Sequence, residues 1–450
     1  MTHIKRKIVL IILIIFNICM IGGIWHPFTG KMLDISYDIC ADHVDQFPIY
    51  YEQDGEWIEE NSDNNVYANV NEVQQMHFRI QDVTTSVKME LGKEPGKIQI
   101  KNIVLSKGIV NVKLNSNELE QVNVKEIVSG SDDVQYETEE NAYFLVKGDV
   151  IEQIDAKAKM AESIVKICVA VIAALALLVC YKNIDYAVEI VRIAWENRKL
   201  IKSLVVSDFR AKYAGNQFGV FWAFVQPGIT SLIYIFVFQV IGRAAPVQTN
   251  VPYSLWLLPG IVPWFYFSES IMSATNSLSE YSYLVKKVLF NIEILPLVKV
   301  FSAFIVHLFL TGFVLIIYIF AGMPLRLSMI QIIYYMICNT MLSIAISYLT
   351  SALVPFFKDM SQILNVVLMI GMWCCPIMWD LNLLPEKYHF LIKMNPVYYI
   401  VQGFRKSYMG TGYFYEDIIT TVYFWMIVIV AFCLNAGIFC RLKRHFADVL

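Results

Sequence analysis

The chain has 450 residues, 57% of them hydrophobic and 17% charged, with a mean hydropathy of +0.51. Soluble proteins carry about 25% charged residues, and runs near twenty apolar residues recur here, so an ordinary soluble enzyme is excluded and a polytopic α-helical membrane protein is expected. The formal charge of −3 hides a segregation: Trp25–Met160 holds 12 basic and 25 acidic residues, a net of −13, against +10 for the remainder.

In chain order, MTHIKRK precedes the apolar run Ile8–Ile24. Flanking Lys and Arg favour an uncleaved anchor over residues 1–25 with a cytoplasmic amino terminus. A cleaved signal peptide is the alternative, against which IGGIWHP is a poor small-residue cleavage site. Residues 26–160 form the acidic block, expected outside the membrane. There MHFRI, SVKMEL, KIQIKNIVL, IVNVKL and AYFLVK alternate apolar and polar residues, with EPGK and SKG as turns, which predicts an antiparallel β-sandwich or jelly roll. Of nine cysteines only Cys40 lies in this block, so it has no internal disulfide partner, and no Cys or His spacing suits a metal.

A second anchor is expected over residues 161–182, returning the chain to the cytoplasm. Residues 183–217 then change pattern. Asp185, Glu189, Arg192, Glu196 and Lys199 make one helical face, and Ile184, Val188, Val191 and Trp195 the opposite one. This predicts an amphipathic helix in the inner interface, with Arg198, Lys199 and Lys202 near anionic headgroups; a cytosolic helix packed on a partner is the alternative. Residues 218–450 hold six further spans, Phe218–Ile241, Ser254–Thr275, Val298–Ala321, Met329–Val354, Ile363–Trp379 and Ile418–Cys440. Eight crossings leave the carboxy terminus inside, where RLKRH supplies positive charge, and place Lys286, Lys287 and Lys358 in the cytoplasm. Leu278–Leu295 is too apolar to lie free in water and predicts a short helix that packs on another protein and is closed by Pro296.

From about Asn197 onward the chain resembles the ABC-2 type permeases that export polysaccharides and teichoic acids, the TagG and Wzm kind. The resemblance rests on SDFRAKYAGNQFGVFWAFVQP, LPGIVPWFYFSESI, LVKKVLFNIEILPL, VPFFKDMSQIL and LLPEKYHFLIKMNPVYYIVQGFRKSYMG, in that order over roughly 250 residues. It implies a six-helix permease domain, here preceded by two extra transmembrane helices around the β-sandwich, working as a homodimer with a separate ABC ATPase subunit. The chain has no G-x-x-x-x-G-K-[ST] loop, so ATP and Mg are expected on that partner and no cofactor on this chain. Besides that ATPase, the partners implied are a lipid-linked glycan and membrane lipids, with no nucleic acid.

By the same resemblance, Lys286, Lys287, Phe290 and Glu293 belong to a coupling helix seated in the ATPase; an ordinary basic loop is the alternative. Arg210, Lys212 and Tyr213 sit at an inner-leaflet gate, where a guanidinium and an ammonium would hold a polyprenyl diphosphate, unless they only meet lipid phosphates. Trp256, Trp264, Phe265, Tyr266 and Phe267, with Trp379, Tyr398 and Tyr399 near the exit, offer sugar-facing aromatic surfaces, or an interfacial belt. Arg405 and Lys406 are basic on the expected outer side, against the topology rule, and so become candidates for a role with cargo.

Two rival functions remain. A chain-length regulator of polysaccharide assembly shares the anchor–domain–anchor layout but needs a long helical outer domain. A membrane-embedded glycan transferase needs convergent acid–base residues. The ionisable groups expected within spans, Lys166, Glu269 and His307, form no such pair; Glu269 could line the pathway or bond a neighbouring helix, and His307 reads as a satisfied helix contact.

Overall fold

The computed structural model describes residues 32–449 except 54–55, 60–65, 82–85, 108–109, 116–117, 130–133, 147, 214–217, 242–250, 287–289 and 385. The expected first anchor, residues 1–25, therefore lies outside the described residues. Two compact units divide between Ile172 and Ala173.

In the first unit the strands are β1 (Met32–Ala41), β2 (Asp45–Gln46), β3 (Ile49–Gln53), β4 (Glu56–Glu59), β5 (Val66–Tyr67), β6 (Gln74–Gln81), β7 (Val87–Glu90), β8 (Lys97–Lys107), β9 (Val110–Lys113), β10 (Leu119–Ser129) and β11 (Val134–Val146). Their ladders are antiparallel. Nine strands join in one sheet, β4-β3-β7-β11-β8-β1-β6 with β10 on β11 and β9 on β8, while β2 and β5 form a separate ribbon. β11 links the ladders, pairing with β7 at Tyr143–Val146 and with β8 at Gln135–Glu137.

Period-two burial builds the core. Leu33, Ile35, Tyr37 and Ile39 of β1 pack with Phe78 of β6, Leu105 of β8 and Phe144 of β11. In β8 the inward set shifts from Ile98 and Ile100 to Ile103 and Leu105. A register irregularity opposite Tyr37 absorbs the extra residue, and Asn102 adopts φ 53 while donating to Asp38 at 2.9 Å. Without that bulge the later half of the strand would face its apolar side outward. Val150, Ile151 and Ile154, at the start of helix α1 (Gly148–Glu196), complete the core.

The second unit is helical. It contains the remainder of α1, then α2 (Arg198–Tyr213), α3 (Trp222–Ile235, continued by a π-helical turn to Ile241), α4 (Tyr253–Thr275), the short α5 (Ser277–Glu280) and α6 (Ser282–Val285), and α7 (Ile294–Phe320). After these come α8 (Gln331–Leu353), α9 (Met360–Cys374), α10 (Glu386–Lys393), α11 (Pro396–Met409), α12 (Ile418–Leu442) and α13 (Phe446–Val449). Five helical stretches are long and apolar enough to cross a membrane, namely Gly148–Glu196, Gly219–Phe238, Ile294–Phe320, Leu327–Leu353 and Ile418–His445 among the described residues, with α9 a shorter apolar helix. The protein is a polytopic helical membrane protein.

α4 is less apolar than these five and sits inside the bundle, packed by α3, α7, α8, α9 and α11. Pro259 has no N–H for the Leu255 carbonyl, and the Tyr318 hydroxyl donates to that oxygen instead. The Pro263 carbonyl likewise accepts from Asn339 at 2.9 Å.

Three local features differ from expectation. The second anchor and the first turns of the interfacial helix are one helix, α1, and the break falls at Asn197. Ile184 faces the bundle with Ala187 and Ile190, whereas Val188, Val191 and Trp195 are exposed, so the expected single apolar face is really two. One points at protein, and the other suits lipid. The elbow is not one helix closed by Pro296. Two single turns, α5 and α6, come before it, residues 290–293 are not helical, and Pro296 lies in the first turn of α7, where a missing N–H costs nothing.

Candidate functional site

A cavity of about 380 Å³ opens between the end of α2, the end of α4, the α5–α6 elbow and the start of α7. Five of its lining side chains are charged: Asp208, Lys212, Glu269, Glu280 and Lys299. α2 reaches it by burying Ile201 and tucking Leu204 and Val205 against the α7 side of the bundle.

Deeper in the cavity Lys299 and Asp208 are buried, while Glu280 stays half exposed. Lys299 bonds Asp208 at 2.7 Å and also pairs with Glu280. The Tyr281 hydroxyl donates to Asp208 at 2.8 Å, and its ring centre is 5.1 Å from the Lys299 ammonium. Burial, and then the bond to the Asp208 carboxylate and its charge, push the Tyr281 phenol well above its ordinary value, so it remains a donor. Lys299 and Asp208 side chains are 10% and 9% exposed, so each depends on the other for its charge.

At the mouth, Lys212 of α2 pairs with Glu269 of α4, and Ser273 donates to the same Glu269 oxygen at 2.9 Å. These side chains are 43% and 47% exposed. An ion pair this wet is worth about 0–1 kcal/mol, so Lys212 can change partners at little cost. Three carboxylates against two ammoniums leave the cavity at −1 as it stands.

The other gate candidates are placed differently. Arg210 is exposed on α2 and does not line the cavity, and the Tyr213 side chain lies outside those described. Of the coupling-helix residues, Lys286 is exposed at the end of α6, Lys287 lies outside the described residues, and Phe290 packs half-buried on the core beneath the elbow. Glu293 corrects the expectation. It is 3% exposed and pairs with Lys443 after α12, while its backbone carbonyl accepts from Tyr348 at 2.9 Å. It is an internal tie and no part of a docking face.

The aromatic candidates are mostly interior. Trp256, Trp264, Tyr266, Phe267 and Tyr399 are all under a tenth exposed, which corrects both the sugar-path and the belt expectation for these side chains within one chain. Tyr266 donates to Thr340 at 3.1 Å and stacks on His307 with centroids 4.6 Å apart, Trp264 packs on Phe267, and Tyr399 bonds Tyr334 and Thr421. Phe265 and Tyr398 are half-buried against the same core, and half-buried Trp379 donates to the Trp373 carbonyl at 3.0 Å.

Arg405 is 2% exposed and donates to the carbonyls of Pro376 at 2.7 Å, Trp256 at 3.3 Å and Ile377, with its guanidinium 3.5 Å from the Trp256 ring centre. It fastens α11 to α4 and to the segment after α9. A side chain at Gly260 would put its Cβ 2.8 Å from the Arg405 guanidinium, so glycine there makes room for it. The expected cargo role of Arg405 is thus replaced by a structural one, while Lys406 stays exposed. His307, expected to be a satisfied contact, has no hydrogen-bond partner at either ring nitrogen among the described residues and is held by stacking. Lys166 pairs with Glu162 one turn earlier at 2.8 Å.

Asp208, Glu280 and Lys299 were absent from the sequence-derived candidates. Lys299 did carry a signal, because it is a lone lysine in the apolar run LPLVKVFSAF.

The ABC-2 type transporter family profile matches residues 199–409, from the start of α2 to the end of α11. The chain is 28% identical over 257 residues to an O-antigen export system permease protein RfbA of Klebsiella pneumoniae, covering 56% of this chain and 95% of the relative. It is 22% identical over 221 residues to the RfbA of Myxococcus xanthus, covering 48% and 83%, and 22% identical over 224 residues to the polysialic acid transport protein KpsM of Escherichia coli, covering 48% and 84%. The cavity, the Lys212–Glu269 pair and the Arg405 tie all lie within the matched span. The chain therefore carries a domain of the ABC-2 type transporter family.

Proposed function

We propose that this chain is the membrane permease subunit of an ATP-driven exporter that moves a lipid-linked polysaccharide from the inner to the outer face of the cytoplasmic membrane. The observation that carries the reading is the Lys212–Glu269 pair at the mouth of a charged cavity. The relatives support it, since they are permeases of O-antigen export and a polysialic acid transport protein, matched over most of their length.

In this reading the polyprenyl tail stays in lipid and the diphosphate displaces Glu269 from Lys212. A phosphate with two charges outbids a single exposed carboxylate for an ammonium. The buried Asp208–Lys299 pair, with half-exposed Glu280 beside it, keeps α2 docked on α7 while the outer pair opens. Energy comes from ATP and Mg on a separate ABC ATPase, which docks at the elbow around Lys286. Two copies of this chain form the conduit, with six spans each, and the sheet unit lies outside the cell between the two extra anchors. A teichoic acid is the other cargo of this class. The chain-length regulator reading gains nothing from a sheet-built first unit, nor the transferase reading from a cavity whose carboxylates are already paired.

The test is export in cells that make the glycan and co-express the partner ABC ATPase. Lys212→Gln is expected to lower surface glycan about tenfold without changing co-purification of the ATPase, and Glu269→Gln to spare export. Lys286→Glu should weaken co-purification instead. Export by this chain with no ATPase present would overturn the reading, and normal export by Lys212→Gln would remove the cavity from it.

A further inference from the structure

The sheet unit has a face that its own core leaves unused. Ile49 and Tyr51 of β3, Val87 and Met89 of β7, and Phe144 and Val146 of β11 are buried, so Tyr50, Lys88 and Tyr143 between them share the opposite face. Ladder pairing sets Tyr50 beside Lys88 on one side and Glu59 on the other, Trp57 beside Glu52, and Tyr143 beside Glu90. The Lys88 ammonium lies 5.4 Å from the Tyr50 ring centre and 4.7 Å from that of Tyr143, and bonds Glu90 at 2.8 Å. Trp57, on the edge strand β4, is 48% exposed. Aromatic rings from three strands thus cross three interstrand spacings, about 14 Å, with carboxylates between them.

We propose that this face binds a neutral, hydroxyl-rich polysaccharide, so that the chain holds glycan on its sheet unit as well as passing it through its helices. Aromatic faces cover sugar C–H surfaces, and carboxylates accept hydrogen bonds from sugar hydroxyls. Charge selects the occupant. Lys88 is already held by Glu90 and two rings, so a polyphosphate chain meets Glu52 and Glu59 in a block whose net charge is −13. An anionic bilayer surface is repelled in the same way. Antiparallel self-pairing on β4 would set Glu56 and Glu59, both exposed, against their own copies. The assignment rests on the exporter reading for its glycan, while the face itself rests on the sheet geometry.

The experiment uses the full chain in phosphatidylcholine nanodiscs. The probes are mannohexaose, cellohexaose and a rhamnose hexasaccharide, with poly(glycerol phosphate) as the anionic comparison, and binding is read by calorimetry. At least one neutral hexasaccharide is expected to bind. Trp57→Ala should weaken it about tenfold, Trp57→Ala with Tyr143→Ala should abolish it, and Tyr143→Phe, which keeps the ring, should leave it unchanged. Circular dichroism of each variant separates lost binding from lost fold. No binding of any neutral probe, preference for the polyphosphate, or Trp57→Ala binding like the parent overturns the proposal, as does self-association that Trp57→Ala removes. Surface glycan is measured in parallel: no binding by a parent chain that still exports sinks this face alone, whereas absent export in the parent chain sinks the exporter reading.

Discussion

The sheet unit and the helical unit both have to seat charge beside packed apolar side chains, and they do it in opposite ways. In β1, Asp34 and Asp38 alternate with buried Leu33, Ile35, Tyr37 and Ile39, so strand geometry alone keeps the carboxylates at the surface. The Arg79–Asp34 pair there, at 2.9 Å, is an exposed contact. The helical unit brings charge inside and neutralises it with partners distant in sequence. Lys299 meets Asp208 from 91 residues upstream, Glu293 meets Lys443, and Arg405 is met by backbone carbonyls of two other segments. In one unit charge marks the outside; in the other it marks the joints between helices.

This contrast can be broken first at Lys299. Lys299→Met leaves Asp208 and Glu280 without their cation, and about 3–5 kcal/mol of stability should be lost, seen as a lower unfolding midpoint in detergent. Adding Asp208→Leu should recover part of it. A neutral Lys299→Met would mean the cluster is not a joint. Arg405→Met comes next. It leaves the Pro376 and Ile377 carbonyls short of a donor and should cost about 2–3 kcal/mol in the same assay. Arg405→Lys should not rescue it, because one ammonium cannot reach the set that a planar fork does.

The smallest effect belongs to the sheet unit. Burial draws the His43 pKa down, but hydrogen bonds and charge from Asp42 and Asp45 outweigh it and leave the value raised above 6.5. A raised value means the stabilisation is fully present below pH 6.5 and is lost as pH rises through the folded value. Protection of the Gln46, Lys93 and Glu94 amides, which donate to Asp45, should therefore fall from pH 6 to pH 8 in hydrogen exchange. His43→Ala should flatten that slope, and an unchanged slope would remove the histidine from the turn's stability.

The two units also differ in how far their sequences reveal them. MHFRI, SVKMEL, KIQIKNIVL, IVNVKL and AYFLVK all lie in or across observed strands, because one buried face writes a period of two into the residues. The bulge at Asn102 is hidden, since its signal is a backbone angle and not a polarity. In the helical unit the spans are legible from apolar runs, but their ends are not. Asn197, which separates α1 from α2, is one polar residue among many. Of the candidate site, Lys212 and Glu269 could each be singled out from sequence. That they touch could not, because 57 residues and a change of helix separate them. Glu293 and the buried tryptophans were misplaced for a related reason. Residue type says what a side chain can bond, and only the packing decides whether solvent, lipid or protein faces it.

The tie between Glu293 and Lys443 makes the far end of the chain part of the elbow. A truncation just after Leu442 would strand a carboxylate 150 residues upstream, inside the protein, with no cation to answer it. The damage would surface beside Lys286, where the motor is proposed to press. If the ABC ATPase docks there as proposed, a clipped tail would present as a fault in coupling.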